Sequence, residues 1–124
     1  MRLLLFFTLV VVLANCNNNN QLDPRSAYIG NYNGSRINEV IDVNGNATRD
    51  TSAVEVSVVG VSTGDIVFAT PDKQYGFAFS NGIFTSRLAS DPGGVPTLTI
   101  SNNKLTFTDL NIVGEQSIFI DASR

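Results

Sequence analysis

The chain has 124 residues, with eight Lys and Arg against eleven Asp and Glu, no His, no Trp and a single Cys. Without histidine the commonest general base is missing, and with one cysteine the usual nucleophile–base pairs and His/Cys zinc sites are missing too. The cations beyond residue 16 are scattered (Arg25, Arg36, Arg49, Lys73, Arg87, Lys104 and Arg124) with no two adjacent, so no clustered basic footprint marks a nucleic-acid partner.

The N-terminus carries the sharpest signal. Arg2 is followed by the run Leu3 to Ala14, apolar but for Thr8, whose end belongs to Leu13-Ala14-Asn15-Cys16 with the only cysteine. A charged n-region, a short h-region and a processing site mark a removable export peptide. The run falls short of the roughly 20 apolar residues that a membrane-spanning helix needs. The layout resembles a bacterial lipoprotein signal, with Asn15 where Gly, Ala or Ser is usual, as in the looser sites common in Bacteroidota. It implies a signal over residues 1–15 and a lipid chain on Cys16 that holds the protein to a membrane. Asn17 lacks the acidic residue associated with inner-membrane retention in enteric bacteria, which points to the outer membrane of the cell envelope. A lone cysteine at this boundary suits lipid better than a disulfide framework, which would use an even set. Asn17 to Asn20 and Gln21 to Pro24 are polar and without apolar period, so residues 16–25 read as a lipidated N-terminus and flexible tether. One domain follows, over 26–124.

That domain reads as all-β. Short β-rich runs recur every 8 to 12 residues between Gly, Asn, Pro and Asp, the pattern of a sandwich or barrel. Ala27 to about Val43 is one long bent strand or two short ones. Ala53 to Val61 alternates, with Val54, Val56 and Val58 on one face and Glu55 and Ser57 on the other. Asp65 to Thr70 follows, then a turn at Thr70-Pro71-Asp72-Lys73. Tyr75 to Ser80 places Phe77 and Phe79 on one face, and Asn81-Gly82 is a strong tight-hairpin signal before Ile83 to Ala89. After the long loop Asp91-Pro92-Gly93-Gly94-Val95-Pro96 come Thr97 to Ser101, Lys104 to Ile112 and Gln116 to Ala122. About eight strands with short connections predict an antiparallel up-and-down meander closing into a small barrel. A two-sheet β-sandwich is the alternative.

The opening strand, Tyr28-Ile29-Gly30-Asn31-Tyr32-Asn33-Gly34, sets tyrosines and glycines on one face. Gly30-Asn31-Tyr32 resembles the Gly-x-Trp element at the start of the lipocalin and calycin barrels. That resemblance implies a calycin-like barrel in which an arginine from the end of the chain packs over the aromatic ring, here Arg124 over Tyr32. The chain also resembles the small calycin-like lipoproteins of Bacteroidota, which begin with a lipid anchor, a polar tether and a Tyr/Gly strand.

Asp42 to Asp50 spaces oxygen side chains like a calcium loop, but Ala47 and Ala53 stand where Gly and a bidentate Glu would be needed. A polar hairpin turn on Asn44-Gly45 is the better reading, and neither a metal nor a cofactor is expected. Most of Phe68, Phe77, Phe79, Phe84, Phe107 and Phe119 should be core, in a barrel that fills its own interior. These features together predict a non-catalytic binding domain for a small apolar ligand or an envelope protein. Its candidate contact loops are Asn44-Gly45 and the Asp91, Pro92, Gly93, Gly94 segment. The rival is a carboxylate hydrolase, for example on glycans, using Glu39 or Glu55 with a nearby Asp.

Overall fold

The computed structural model describes residues 23–62, 64–88, 94–111 and 114–124. Cys16, Asp91, Pro92 and Gly93 lie outside the described residues. Eight strands run in chain order as β1 (Gly30–Ile41), β2 (Ala47–Ser62), β3 (Asp65–Ala69), β4 (Gln74–Ser80), β5 (Ile83–Ser86), β6 (Thr97–Ser101), β7 (Lys104–Asp109) and β8 (Gln116–Ser123). All belong to one antiparallel sheet of order β5-β4-β3-β2-β1-β8-β7-β6. β1 pairs with β8 as well as β2, and β5 and β6 come back beside each other without a ladder. The result is a meander wound into a nearly closed barrel, not two stacked sheets.

Local chemistry explains the reversals. Asn81 adopts φ 50° in the β4–β5 turn, and Asn102 and Asn103 adopt 50° and 63° in the β6–β7 turn. Asparagine tolerates this left-handed region better than most residues. In the β1–β2 turn the Asp42 carboxylate accepts from the backbone N–H groups of Asn44 and Asn46, each at 2.8 Å, which holds it below its ordinary pKa. The turn lies on Asn44-Gly45, and this aspartate organises it.

Several strand limits differ from the sequence reading. β1 begins at Gly30 because Pro24 to Tyr28 form turns. β5 ends at Ser86 and β7 at Asp109, short of Ala89 and Ile112. β2 begins at Ala47, since the polar stretch 47–52 is drawn into the sheet by its ladder with Arg36–Ile41 of β1.

Alternate residues point inward. Tyr32, Val56, Val58, Ile66, Phe68, Tyr75, Phe77, Leu105, Phe107 and Ile120 are buried to 2% exposure or less. Phe107 lies between Phe68 and Tyr75, with ring centroids 4.5 and 4.6 Å away, so side chains occupy the middle of the barrel. Phe79 and Phe84 are partly buried against this core, whereas Phe119 sits at an odd position on the outward side of β8.

Candidate functional site

The barrel has two unlike ends. At one end lie the β2–β3, β4–β5 and β6–β7 turns, the C-terminus and the segment Asp23–Ile29, which crosses in front of the mouth. Arg25 anchors that segment: its guanidinium donates to the Ser62 and Asp65 carbonyl oxygens and pairs with Asp23 at 2.7 Å. The same arginine holds the Asp23 carboxyl down at about 2. Tyr28 then turns toward the barrel, its ring 5.3 Å from Phe79 and 5.4 Å from Phe84, the latter edge-on. Such tilted and edge contacts are the favoured arrangements of aromatic quadrupoles.

Between this segment and the turns a cleft of about 610 Å³ opens, with Tyr28 and Phe79 as its aromatic wall and Arg25, Ser80 and Asn81 among its polar neighbours. This volume lies in the range of small-molecule sites. Among the described residues Asp23 is the one carboxylate lining it, and it is already paired with Arg25. A second hollow of about 440 Å³ lies across Tyr28, against Ile100 and the β6–β7 turn.

The residues singled out by the lipocalin resemblance support this mouth from behind. Gly30 has φ 148°, and a Cβ there would stand 3.0 Å from the Arg124 guanidinium. Only a residue without a side chain both accepts that conformation and leaves the room. The Arg124 guanidinium lies 5.3 Å from the Tyr32 ring centre, donates to the Ile29 carbonyl oxygen at 2.6 Å and also donates to that of Ala27. The Tyr32 hydroxyl donates to the Tyr28 carbonyl oxygen at 2.7 Å. Strand β1 and the chain end therefore tie down the carbonyls of the segment that carries Tyr28.

Arg124→Met keeps an apolar stem but removes the cation and its donors, and is expected to lower stability by about 1–2 kcal/mol, given the size of cation–π and charge-assisted contacts. Urea unfolding monitors this, and limited proteolysis should show earlier cutting within 23–29. A variant matching wild type in both measurements would mean that Arg124 does not hold the segment.

The opposite end is closed by charge. Arg36, on the inward side of β1 and only 9% exposed, pairs with Asp72 of the β3–β4 turn, whose carboxyl this contact holds at about 2. The buried Tyr75 hydroxyl donates to Asp109 at 2.8 Å, and burial followed by this bond pushes its ionisation well above the tyrosine range. Lys73 lies 3.6 Å from Asp109 and 4.8 Å from the Tyr75 ring centre. Among the described residues no buried side-chain polar atom lacks a partner. These groups satisfy one another and form a polar plug.

The described residues of the candidate contact loops, Asn44, Gly45 and Gly94, fall at this plugged end. Asn44 and Gly45 sit on the tip of the β1–β2 hairpin, and Gly94 is exposed near the start of β6, its Cβ position 4.0 Å from the Leu110 carbonyl oxygen. The carboxylates of the hydrolase alternative are not brought together in a described cavity: Glu39 pairs with Arg49, and Glu55 is exposed on β2. Among the described residues no group of three or more metal-ligating side chains occurs.

Sequence reasoning missed both the mouth cleft and the plug. Sequence marks Tyr28 only as part of the opening Tyr/Gly strand, since Gly64 and Phe79 to Gly82, which share its cleft, come 36 to 54 residues further on. Arg36 shares the parity of Tyr32, which was the one local hint that it points inward. No family model, no curated protein and no solved structure matches this chain.

Proposed function

We propose that this protein is a bacterial lipoprotein, anchored through Cys16 in the outer membrane, whose calycin-like barrel is a non-catalytic binding domain for a small apolar ligand. The supporting observation is the cleft of about 610 Å³ at the mouth, with its aromatic wall of Tyr28 and Phe79 and its polar rim. A few polar groups around an apolar wall are the usual make-up of a ligand site. The barrel interior, by contrast, is occupied by Phe68, Tyr75 and Phe107. The eight-stranded meander and the Gly30, Tyr32, Arg124 contacts support the calycin-like reading.

Asp23, which lines the cleft, bounds how far the anchor can lie from it. Seven residue steps separate Cys16 from Asp23, which at no more than about 3.6 Å per residue keeps the cleft within about 25 Å of the acylated cysteine. A ligand taken from or delivered to the membrane surface suits this placement. A second reading, an envelope protein as partner, is favoured by the hairpin tip, where Val43 stands 88% exposed on the turn organised by Asp42.

Two measurements test the proposal. The full chain expressed in a bacterial host should enter the detergent phase of a phase split, and Cys16→Ser should remain aqueous; if both stay aqueous, the anchor is wrong. Native mass spectrometry of the protein extracted from envelopes should show a bound small molecule that is lost in Ser80→Trp, where an exposed cleft residue becomes a filler. Protein that carries no such molecule, or carries it equally in Ser80→Trp, would remove the cleft as the binding site.

A further inference from the structure

β2 is the longest of the described strands, and more than half of it has no described neighbour on one side. Its 16 residues pair with β1 from Ala47 to Val58, but with β3 only from Ser57 onward. Among the described residues nothing pairs with the outer edge of 47–56, and residues 47–53 are all exposed.

The hydrogen-bonding direction of this edge follows from the ladder. The Asp42 N–H donates to the Asn46 carbonyl at 3.0 Å, which makes 42 and 46 a bonded pair. Bonded and non-bonded pairs alternate in antiparallel ladders, so the even residues Thr48, Asp50, Ser52 and Val54 bond to β1. The odd residues Ala47, Arg49, Thr51, Ala53 and Glu55 aim their main-chain groups outward. The far side of the barrel agrees. Thr70 and Lys73 form a bonded pair at 2.8 Å, and alternation from there turns Val67 and Ala69 toward Val59 and Ser57, odd residues of β2 again.

An edge of this length is a template for another strand unless something covers it. We propose that Ala47–Val56 pairs antiparallel with the same edge of a second copy of this chain, Ser52 opposite Ser52, so that Arg49 of each copy faces Glu55 of the other. Charge selects this register. Centring on Asp50 sets two aspartates against each other, and centring on Thr51 leaves Arg49 opposite Ala53. Centring on Ser52 produces the Arg49–Glu55 pair twice by symmetry and uses residues 48–56, nearly the whole open edge. Arg49 engages Glu39 through Nε, which leaves its terminal nitrogens for the carboxylate of the second copy. Four odd residues per copy contribute about eight main-chain hydrogen bonds, close to the direct-bond count of a standard protein interface. The two-fold pairing is isologous and therefore stops at a dimer.

Cysteine crosslinking in the expressed full chain tests the register. With mild oxidant, Ser52→Cys should give a reducible dimer as the main species, with wild type as the control for linkage through Cys16. Asp50→Cys should give about tenfold less, since its counterpart would lie about 13 Å away along the strand at 3.3 Å per residue, beyond disulfide reach. Glu55→Arg should reduce the Ser52→Cys crosslink about tenfold by opposing two arginines, and adding Arg49→Glu should restore it; like charges directly opposite destabilise a ladder. Absence of a Ser52→Cys dimer, equal linkage at position 50, or no rescue by the double swap would each overturn the proposal. All the substituted positions are exposed, and circular dichroism identical to wild type confirms that each variant is folded. The outcome is independent of whether the cleft binds a ligand.

Discussion

Gly34→Ala is expected to be among the most damaging single methyl additions in this protein, lowering stability by about 3 kcal/mol, at the upper end for overpacking. A Cβ at Gly34 would collide with the Asp121 carbonyl oxygen and stand 2.5 Å from Ala122 Cα and 2.8 Å from its Cβ. These are main-chain and near-main-chain atoms of β8, directly opposite in the ladder, so no side-chain rotation relieves the contact. The β1–β8 ladder must open, and it is the one that joins the two ends of the meander. Ser35→Ala, one residue on and exposed, is the control and should stay within about 0.5 kcal/mol of wild type, as surface substitutions do. Urea unfolding of both variants decides the matter. A Gly34→Ala midpoint equal to that of Ser35→Ala would show that β8 does not approach β1 so closely.

Phe107→Ala should cost about 3–5 kcal/mol, the range for emptying a buried aromatic site. Its ring is fully buried between Phe68 and Tyr75, and Tyr75 in turn holds Asp109. The loss therefore removes core volume and loosens the support of a buried carboxylate. A domain of this size has only about 5–15 kcal/mol in total, so the variant should sit near the edge of folding at 37 °C. Phe107→Leu keeps most of the volume and should recover more than half of the loss. Thermal unfolding followed by circular dichroism measures both. A loss under about 1 kcal/mol, far below the range for a filled site, would mean that the barrel interior is not filled as described.

Both effects bear on the site. A filled interior and a tightly closed β1–β8 seam confine the described hollows to the mouth, on either side of Tyr28. They also make the Asp23–Ile29 segment, held by Arg25 and Arg124, the element that shapes the cleft. The two ends differ in chemistry: the mouth carries the aromatic wall, and the plugged end carries paired charges and a projecting hairpin.

Much of this architecture was legible from residue order alone. The all-β class, the number of strands and their antiparallel sense follow from alternating Val54, Val56 and Val58, from Phe77 and Phe79, and from reversals at Asn81-Gly82 and Asn102-Asn103. These are local effects, acting over two to six residues, and neighbours in sequence are enough to specify them. The resemblance of Leu13-Ala14-Asn15-Cys16 to a lipoprotein signal is likewise a property of sequence. Barrel closure, the extension of β2 back to Ala47, the inward charge of Arg36 and the walls of the cleft were decided only in three dimensions. Three of these depend on a partner far along the chain: Ala122 for Gly34, Asp72 for Arg36, Phe79 for Tyr28. A polar stretch such as Thr48 to Ser52 has no alternation of its own to announce a strand. It becomes one because the backbone groups of Arg36 to Val40 on the β2 side need partners, and residues 48–52 lie opposite them in the ladder.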